Sequence, residues 1–493
     1  MDLSPQEVDC LRTEAENLEF TLQHLSNRRC LILRQINAAK STARVLPTET
    51  LSTILAFACR QPNLDDIKAQ PNLGNHCSRD ILRFSHVSSR WRSVAFSIPQ
   101  LWKIMTIQVH AFLDIQRSAD VLALHFRNAK AQPFSLCVCY PLEEGIHINL
   151  DPITDILFQE QHSERVAWLE LRGWYPRAWL SRISHNFPNL KHIRCDDAAP
   201  RNPFLYLNPP DSAPHLTPPN LESLSLSRCL VIIETSWEKI TRVNLTSQLI
   251  WTCAQILFQC PNLVEFRCTR TFHVTEEEEE PIPEPFIVAI HTFPYLTHIE
   301  WGYQSTDWDR AILRHIRLPA LKYMSWYSYV YHVDMAGYVA SFFDVLSSAQ
   351  ATLEELHLLG QTFWNENQLQ QLLSPLKHVH HISLDKGEGN AAGALVSVLT
   401  RPGFEGEDNL PSLRALTIGF CLDEWNLHGT ENHLSWLSIR VVEMLQNRLT
   451  KSSQFVVDIR MDWTEGAQER VRKMIRDGAD LKVLDDGEEV EWL

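Results

Sequence analysis

Nine lines between residues 187 and 418 vary a single phrase, P-x-L-x-x-φ-x-φ with φ apolar. They are FPNLKHIRC, PPNLESLSLSRC, ITRVNL, CPNLVEFRC, FPYLTHIEW, LPALKYMSW, ATLEELHL, VHHISL and LPSLRALTI. Their leading apolar residues are Leu190, Leu221, Ile240, Leu263, Leu296, Leu321, Leu353, Val379 and Leu413. These recur at intervals of 19 to 34 residues, which brackets the ~20–29 residue period of leucine-rich repeats. Proline fixes the chain before the strand, and the alternating φ residues turn one strand face inward. A chain built this way stacks its repeats, because one repeat alone cannot bury its apolar face.

Two lines match the full repeat consensus. Leu221, Leu224, Leu226 and Cys229 stand at its fixed positions, as do Leu413, Leu416, Ile418 and Cys421. Cysteine at that place is read as a small buried hydrophobe. Helical stretches are expected at 333–350, 366–376, 391–401 and 439–449, so strands and helices alternate and the strands run parallel. An earlier strand, VAWLELRG at 166–173, opens the array, and TEGAQERVRKMIRDG at 464–478 closes it with a polar-faced helix. Side chains between the φ positions face the concave surface. They name a target-binding set: His192, Arg194, Arg242, Glu265, Arg267, His298, Glu300, Tyr323, Tyr327, His357 and His381.

The first forty residues follow a different rule. Val8, Ala15, Leu22, Arg29 and Ile36 recur every seven residues, with Leu11, Leu18, Leu25, Ile32 and Ala39 between them. Such a heptad pattern fits a coiled-coil helix or an amphipathic helix folded back on its own protein. Arg29 within the seam weakens tight pairing, so a monomer or weak dimer is expected.

Residues 46–58, LPTETLSTILAFA, and 81–105, ILRFSHVSSRWRSVAFSIPQLWKIM, read as short helices around a polar interval. Pro47 stops one helix, Thr48 can cap the next, and the apolar residues recur at helical spacing. The combination L-P-x-E-x-L-x-x-I-L, then V-x-x-x-W-R-x-V-A, then P-x-L-W resembles an F-box. It is most similar to the F-box-like proteins abundant in mushroom-forming fungi, which also carry a heptad helix before the motif. The matching positions are Leu46, Pro47, Glu49, Leu51, Ile54, Leu55, Val87, Trp91 and Val94. The chain departs from the family at Ser88, where cysteine is usual, and in a longer interval between the two halves.

The resemblance implies docking on the Skp-type adaptor of a cullin–RING (SCF-type) ubiquitin ligase. Leu46, Pro47, Leu51, Leu55 and Trp91 would then lie in a desolvated helical interface, and the repeats would hold a protein target. The chain would be a non-catalytic adaptor without a cofactor. A scaffold with a drifted F-box-like segment stays open, and an enzyme hidden in the repeats is more distant.

The expected architecture is α plus α/β. It has a heptad helix at 1–40, a three-helix F-box at 41–105, a connecting segment at 106–160, an irregular leucine-rich-repeat-like solenoid at 161–478 and an acidic tail at 479–493.

Composition narrows the alternatives. Residues 1–105 hold 13 basic and 10 acidic side chains, so +3 there leaves −18 on the rest of a chain whose net charge is −15. That balance disfavours nucleic acid, whose binding depends on neutralising phosphates. Twelve cysteines without a C-x-x-C pair offer neither a zinc framework nor a disulfide scaffold. No apolar run reaches the ~20 residues that span a bilayer, and MDLSPQEVDC is no secretory leader. The cytoplasm or nucleus is expected.

His378, His380 and His381 offer no third ligand by spacing and read as solvated or core histidines. Gly387 to Ala392 fits G-x-G-x-x-A but lies inside the array, where any strand-to-helix turn accepts glycine. No P-loop, H-E-x-x-H or G-x-S-x-G motif occurs. The acidic run Glu276–Glu280 reads as a solvated loop.

Overall fold

Residues between Pro5 and Lys40 form one helix, α1 (Pro5–Lys40), with no proline or glycine after its first residue to break it. The structure is a computed structural model. It describes residues 5–40, 46–59, 74–109, 115–140, 148–176, 178–197, 215–229, 231–271, 289–303, 307–328, 335–359, 365–387, 389–401, 409–420, 435–449, 454–459, 463–485, 487–490 and 492–493. The acidic run Glu276–Glu280 and Cys421 lie outside the described residues. The chain divides into two compact units, residues 1–139 with 145–167 and residues 140–144 with 168–493.

In the first unit, α2 (Thr48–Ala58), α3 (Gly74–Ser85) and α4 (Ser89–Ser97) pack on one another. Leu51, Leu55, Ile81, Val94 and Ala95 are buried there. Helix α4 starts at Ser88, whose extended backbone lets its Oγ accept the Trp91 N–H at 3.2 Å. The residue that departs from the family pattern therefore has a local use as a helix cap. The helix stops at Ile98, because Pro99 opens a 3-10 turn, Pro99–Trp102, in its place.

Trp102 ends that turn fully buried, and its Nε1–H donates to the Ala95 carbonyl at 2.9 Å. Strands β1 (Ile104–Gln108) and β2 (Phe134–Cys139) pair in parallel, joined through α5 (Ile115–Ala129). Helix α6 (Asp151–Leu157) packs on α5. The stretch expected as a plain connection, 106–160, thus supplies a strand–helix–strand unit. Strand β1 follows a P-x-L, Pro99-Gln100-Leu101, but that stretch is shared with the F-box-like pattern and Thr106 takes the second φ place. FSLCVC follows Pro133 directly, without the P-x-L spacing.

The second unit carries a sheet whose strand order follows chain order. Its strands are β3 (Val166–Gly173), β4 (His192–Asp197), β5 (Ser223–Ser227), β6 (Arg242–Thr246), β7 (Glu265–Thr269), β8 (His298–Tyr303), β9 (Tyr323–Ser328), β10 (Glu355–Leu359), β11 (His381–Gly387), β12 (Ala415–Phe420), β13 (Phe455–Ile459) and β14 (Leu481–Asp485). All pair in parallel, and only the short β15 (Glu488–Glu489) turns back against β14. The tail expected to be merely acidic therefore supplies the last two strands. Leu481 and Val483 are buried while Lys482 and Asp485 face solvent, an alternation hidden by the surrounding charges.

Every line of the repeat phrase falls on a strand, and one register carries its apolar residues across the sheet. Leu169, Ile193, Leu224, Val243, Phe266, Ile299, Met324, Leu356, Ile382, Leu416, Val457 and Val483 stand in one file. All are buried. A file like this is fixed by burial, because a one-residue slip would turn every one of these side chains to solvent.

Helices α7 (Ala178–Asn186), α8 (Ile250–Gln259), α9 (Asp307–His315), α10 (Met335–Ala349), α11 (Glu366–Leu373), α12 (Gly389–Thr400), α13 (Ser435–Leu449) and α14 (Glu465–Arg476) fill the crossovers. Five of them, α10 to α14, coincide with the helical stretches read from the sequence. Helices α8 to α10 touch in sequence, as do α11 to α14. Asn365 and Gln368 form a reciprocal cap at the start of α11. Arg448 of α13 is buried and donates to the carbonyls of Leu399, Asn409 and Leu410. It closes polar loop ends that the apolar core could not satisfy. No helix among the described residues is long and apolar enough to cross a membrane.

Candidate functional site

The strand face opposite the buried file holds two polar files. The first runs His192, Ser223, Arg242, Glu265, His298, Tyr323, Glu355, His381. The second runs Glu170, Arg194, Ser225, Asn244, Arg267, Glu300, Ser325, His357, Ser383, Thr417, Asp458. Tyr327 lies two residues beyond Ser325 on the same face. All eleven side chains singled out from the sequence thus share one face. Parallel pairing brings each against its neighbour in the next repeat, although 19 to 34 residues of chain separate the lines.

Charge alternates along these files. At one end the Glu170 carboxylate, 1% exposed, lies 2.6 Å from Arg172 Nη2 and 3.2 Å from Arg194 Nε. Further along, Glu265 sits 2.7 Å from Arg267 and 3.8 Å from Arg242, and Arg267 reaches Glu300 at 3.4 Å. Burial raises the Glu300 carboxyl above its ordinary value, and the Arg267 charge pulls it only part of the way back. Ser325 is buried and hydrogen-bonds to both Tyr323 and Tyr327. Burial, and then the Glu300 charge, pushes the Tyr323 phenol up to about 12. It remains a neutral hydrogen-bonding group at physiological pH.

An aromatic row continues from there. The His298 and Tyr323 rings stack with centroids 5.6 Å apart, and Tyr323 lies 4.8 Å from His357. His357 meets His381 edge-on at 4.9 Å. Glu355 Oε2 lies 3.5 Å from His357 Nε2 and 3.7 Å from His381 Nδ1. Burial lowers the pKa of both histidines, most strongly of all the influences on them, and Glu355 partly offsets that. Of the triplet His378, His380 and His381 only His381 joins this cluster, and its companions Glu355 and His357 come from the preceding strand, where Glu355 pairs in register with His381. Glu170, Arg172, Ser325, Glu355 and Thr417 are among the residues of this face that were not singled out. The signal was their place between φ residues in the same lines, which the polar selection used only for some residues.

The N-terminal helices form a separate surface. Leu51, Leu55 and Val94 lie in the helices' own core, and Leu46 and Trp91 are half-buried. The expectation that Leu51 and Leu55 meet a partner directly is corrected: both are fully buried by the neighbouring helices. Arg90 donates to the Leu46 carbonyl and fixes the entry to α2. Pro47, Glu49, Ile54 and Val87 face solvent, Ile54 at 39% and Val87 at 55%. Phe57, three residues after Ile54, is 69% exposed and joins Ile54 on the open face of α2.

A cleft of about 780 Å³ lies beside α5, lined by Arg117, Asp120, Arg127, His162 and Arg165 among others. Its described lining includes no Ser, Thr or Cys to serve as a nucleophile. No protein-family model matches the chain, and no curated protein matches it.

Proposed function

We propose that the chain is the substrate-recognition subunit of a cullin–RING ubiquitin ligase. In this reading residues 41–105 are an F-box that docks on a Skp-type adaptor. The parallel sheet is an irregular leucine-rich-repeat-like solenoid whose polar face holds a protein target. The observation that carries the reading is the state of the three helices. Their core is already closed by Leu51, Leu55 and Val94, yet Ile54, Phe57 and Val87 remain in water. Large apolar side chains held outside a finished core serve a partner better than they serve the fold.

The polar face supports the second half of the reading, since its Arg, Tyr and His side chains are the types that anchor interfaces. No bond chemistry is required of such a subunit. Holding a target beside a charged ubiquitin carrier raises its effective concentration.

Co-purification of the full chain with a Skp-type adaptor tests this. Ile54→Asp combined with Val87→Asp is expected to abolish adaptor capture and leave the circular dichroism spectrum unchanged. Failure of the unaltered chain to bind the adaptor, or undiminished capture by the folded double variant, would refute the proposal.

A further inference from the structure

Glu355 and His357 stand two residues apart on β10 and therefore point to the same side of the sheet. His381 stands on β11 directly opposite Glu355. One donor atom from each of the three lies within 4.8 Å of the others. We infer that Glu355, His357 and His381 form a binding site for one divalent cation of the zinc class. The site stands on the geometry of β10 to β12 and is independent of the adaptor reading.

The donor spacing carries the inference. Zinc–ligand bonds of about 2.0–2.1 Å in a tetrahedral shell place neighbouring donors about 3.3–3.4 Å apart. The two separations to Glu355 Oε2 are 3.5 Å, from His357 Nε2, and 3.7 Å, from His381 Nδ1. Small rotations of exposed-side rotamers close that difference. Two imidazoles with one carboxylate are a donor set suited to zinc and its neighbours, whereas magnesium and calcium take oxygen ligands.

The surroundings fit as well. Thr417 Oγ1 of β12 lies 3.1 Å from His381 Nε2, on the far side of the ring from Glu355. A proton donated from Nε2 to that hydroxyl leaves the Nδ1 lone pair directed at the site, which is how ligating histidines are commonly held. The Tyr323 ring braces His357 from β9. All three ligating residues are partly exposed, so the remaining coordination position opens outward. Water can fill it, and so can a donor atom of a bound target.

A neighbouring pair shows what an ordinary ion pair looks like here. Glu354 lies 3.8 Å from His380, but Lys322 Nζ already sits 2.8 Å from that carboxylate. An ammonium group in that position excludes a cation, so His380 serves as the control.

The test is zinc chloride titrated into the full-length protein against a chromogenic chelator, with cobalt(II) substitution followed by its visible spectrum. One equivalent is expected to bind tightly, with intense tetrahedral cobalt bands. His357→Ala with His381→Ala should weaken that equivalent by at least about 100-fold, and Thr417→Val by about 10–100-fold. His380→Ala should change nothing. Should the double variant fail to fold, the near-isosteric Glu355→Gln must still lower the affinity. Absence of a tight equivalent in the unaltered chain would overturn the inference. So would a binding curve that Glu355→Gln, or the folded double variant, leaves unchanged.

Discussion

Arg172 Nη2 lies 2.6 Å from Glu170 Oε1, and that carboxylate is almost completely shielded from water. Arg194, in register with Glu170 on the next strand, holds the same oxygen at 3.2 Å. One buried carboxylate therefore bridges two guanidinium groups at this end of the polar face. Removing it would leave two half-buried cations facing each other. Glu170→Ala is expected to destabilise the chain by about 2–4 kcal/mol, toward the lower part of the range for a broken buried pair because both arginines keep some solvent. The exposed pair between Lys191 and Glu222 offers the comparison, since Lys191→Ala should cost less than about 1 kcal/mol. Urea denaturation midpoints of the two variants check the contrast. Equal midpoints would contradict it.

His125 makes stability depend on pH. It is fully buried on α5, donates its Nδ1–H to the Trp102 carbonyl at 3.1 Å, and packs edge-on against the Trp102 ring. Burial lowers its pKa to about 4, against a partial opposing effect of that hydrogen bond. The unfolded chain takes up the proton near 6.5 and the folded chain only near 4. The contribution is therefore complete above about pH 6.5 and is lost as the pH falls toward 4, with a total on the order of 3 kcal/mol. His125→Gln should flatten the dependence of unfolding free energy on pH between about 7 and 5. An unchanged slope would show that His125 is not the group responsible.

Helix α1 presents its heptad seam to water. Leu11, Leu18, Leu22, Leu25, Ile32 and Ile36 are all exposed, so among the described residues the helix does not fold back on the core of α2 to α4. The seam is free to pair with a second chain, and Arg29 keeps that pairing weak. Light scattering of the full chain is expected to show a mass that rises modestly with concentration. Deleting residues 1–40 should give a monomer with an unchanged melting temperature. A large drop in melting temperature on deletion would instead mean that α1 stabilises the folded core.

The alternation of apolar residues in the repeat lines was enough to place β4 to β12 on parallel strands with their φ residues inward. Burial enforces that pattern locally, one strand at a time. Polar side chains on the other strand face were legible for the same reason. Two strands at the start and three at the end were not legible: the P-x-L before IMTIQ is shared with the F-box-like pattern, Pro133 stands directly before FSLCVC without that spacing, FVVDI follows no P-x-L, and LKVLD is set among charges. Sequence also named Leu51 and Leu55 but could not assign them to the inside of the helical core. Helical period identifies an apolar face and leaves open whether its own chain or a partner covers it.

Which polar residues meet was decided by the tertiary structure alone. Glu355 and His381 are 26 residues apart in the chain, and the length of the α11 crossover brings them level. Glu170 finds Arg194 in the same way, across α7. The sequence determined the face on which each side chain stands, because that follows from a period of two along a single strand. The register between strands depends on how the whole buried file packs, and no short stretch of sequence contains that information.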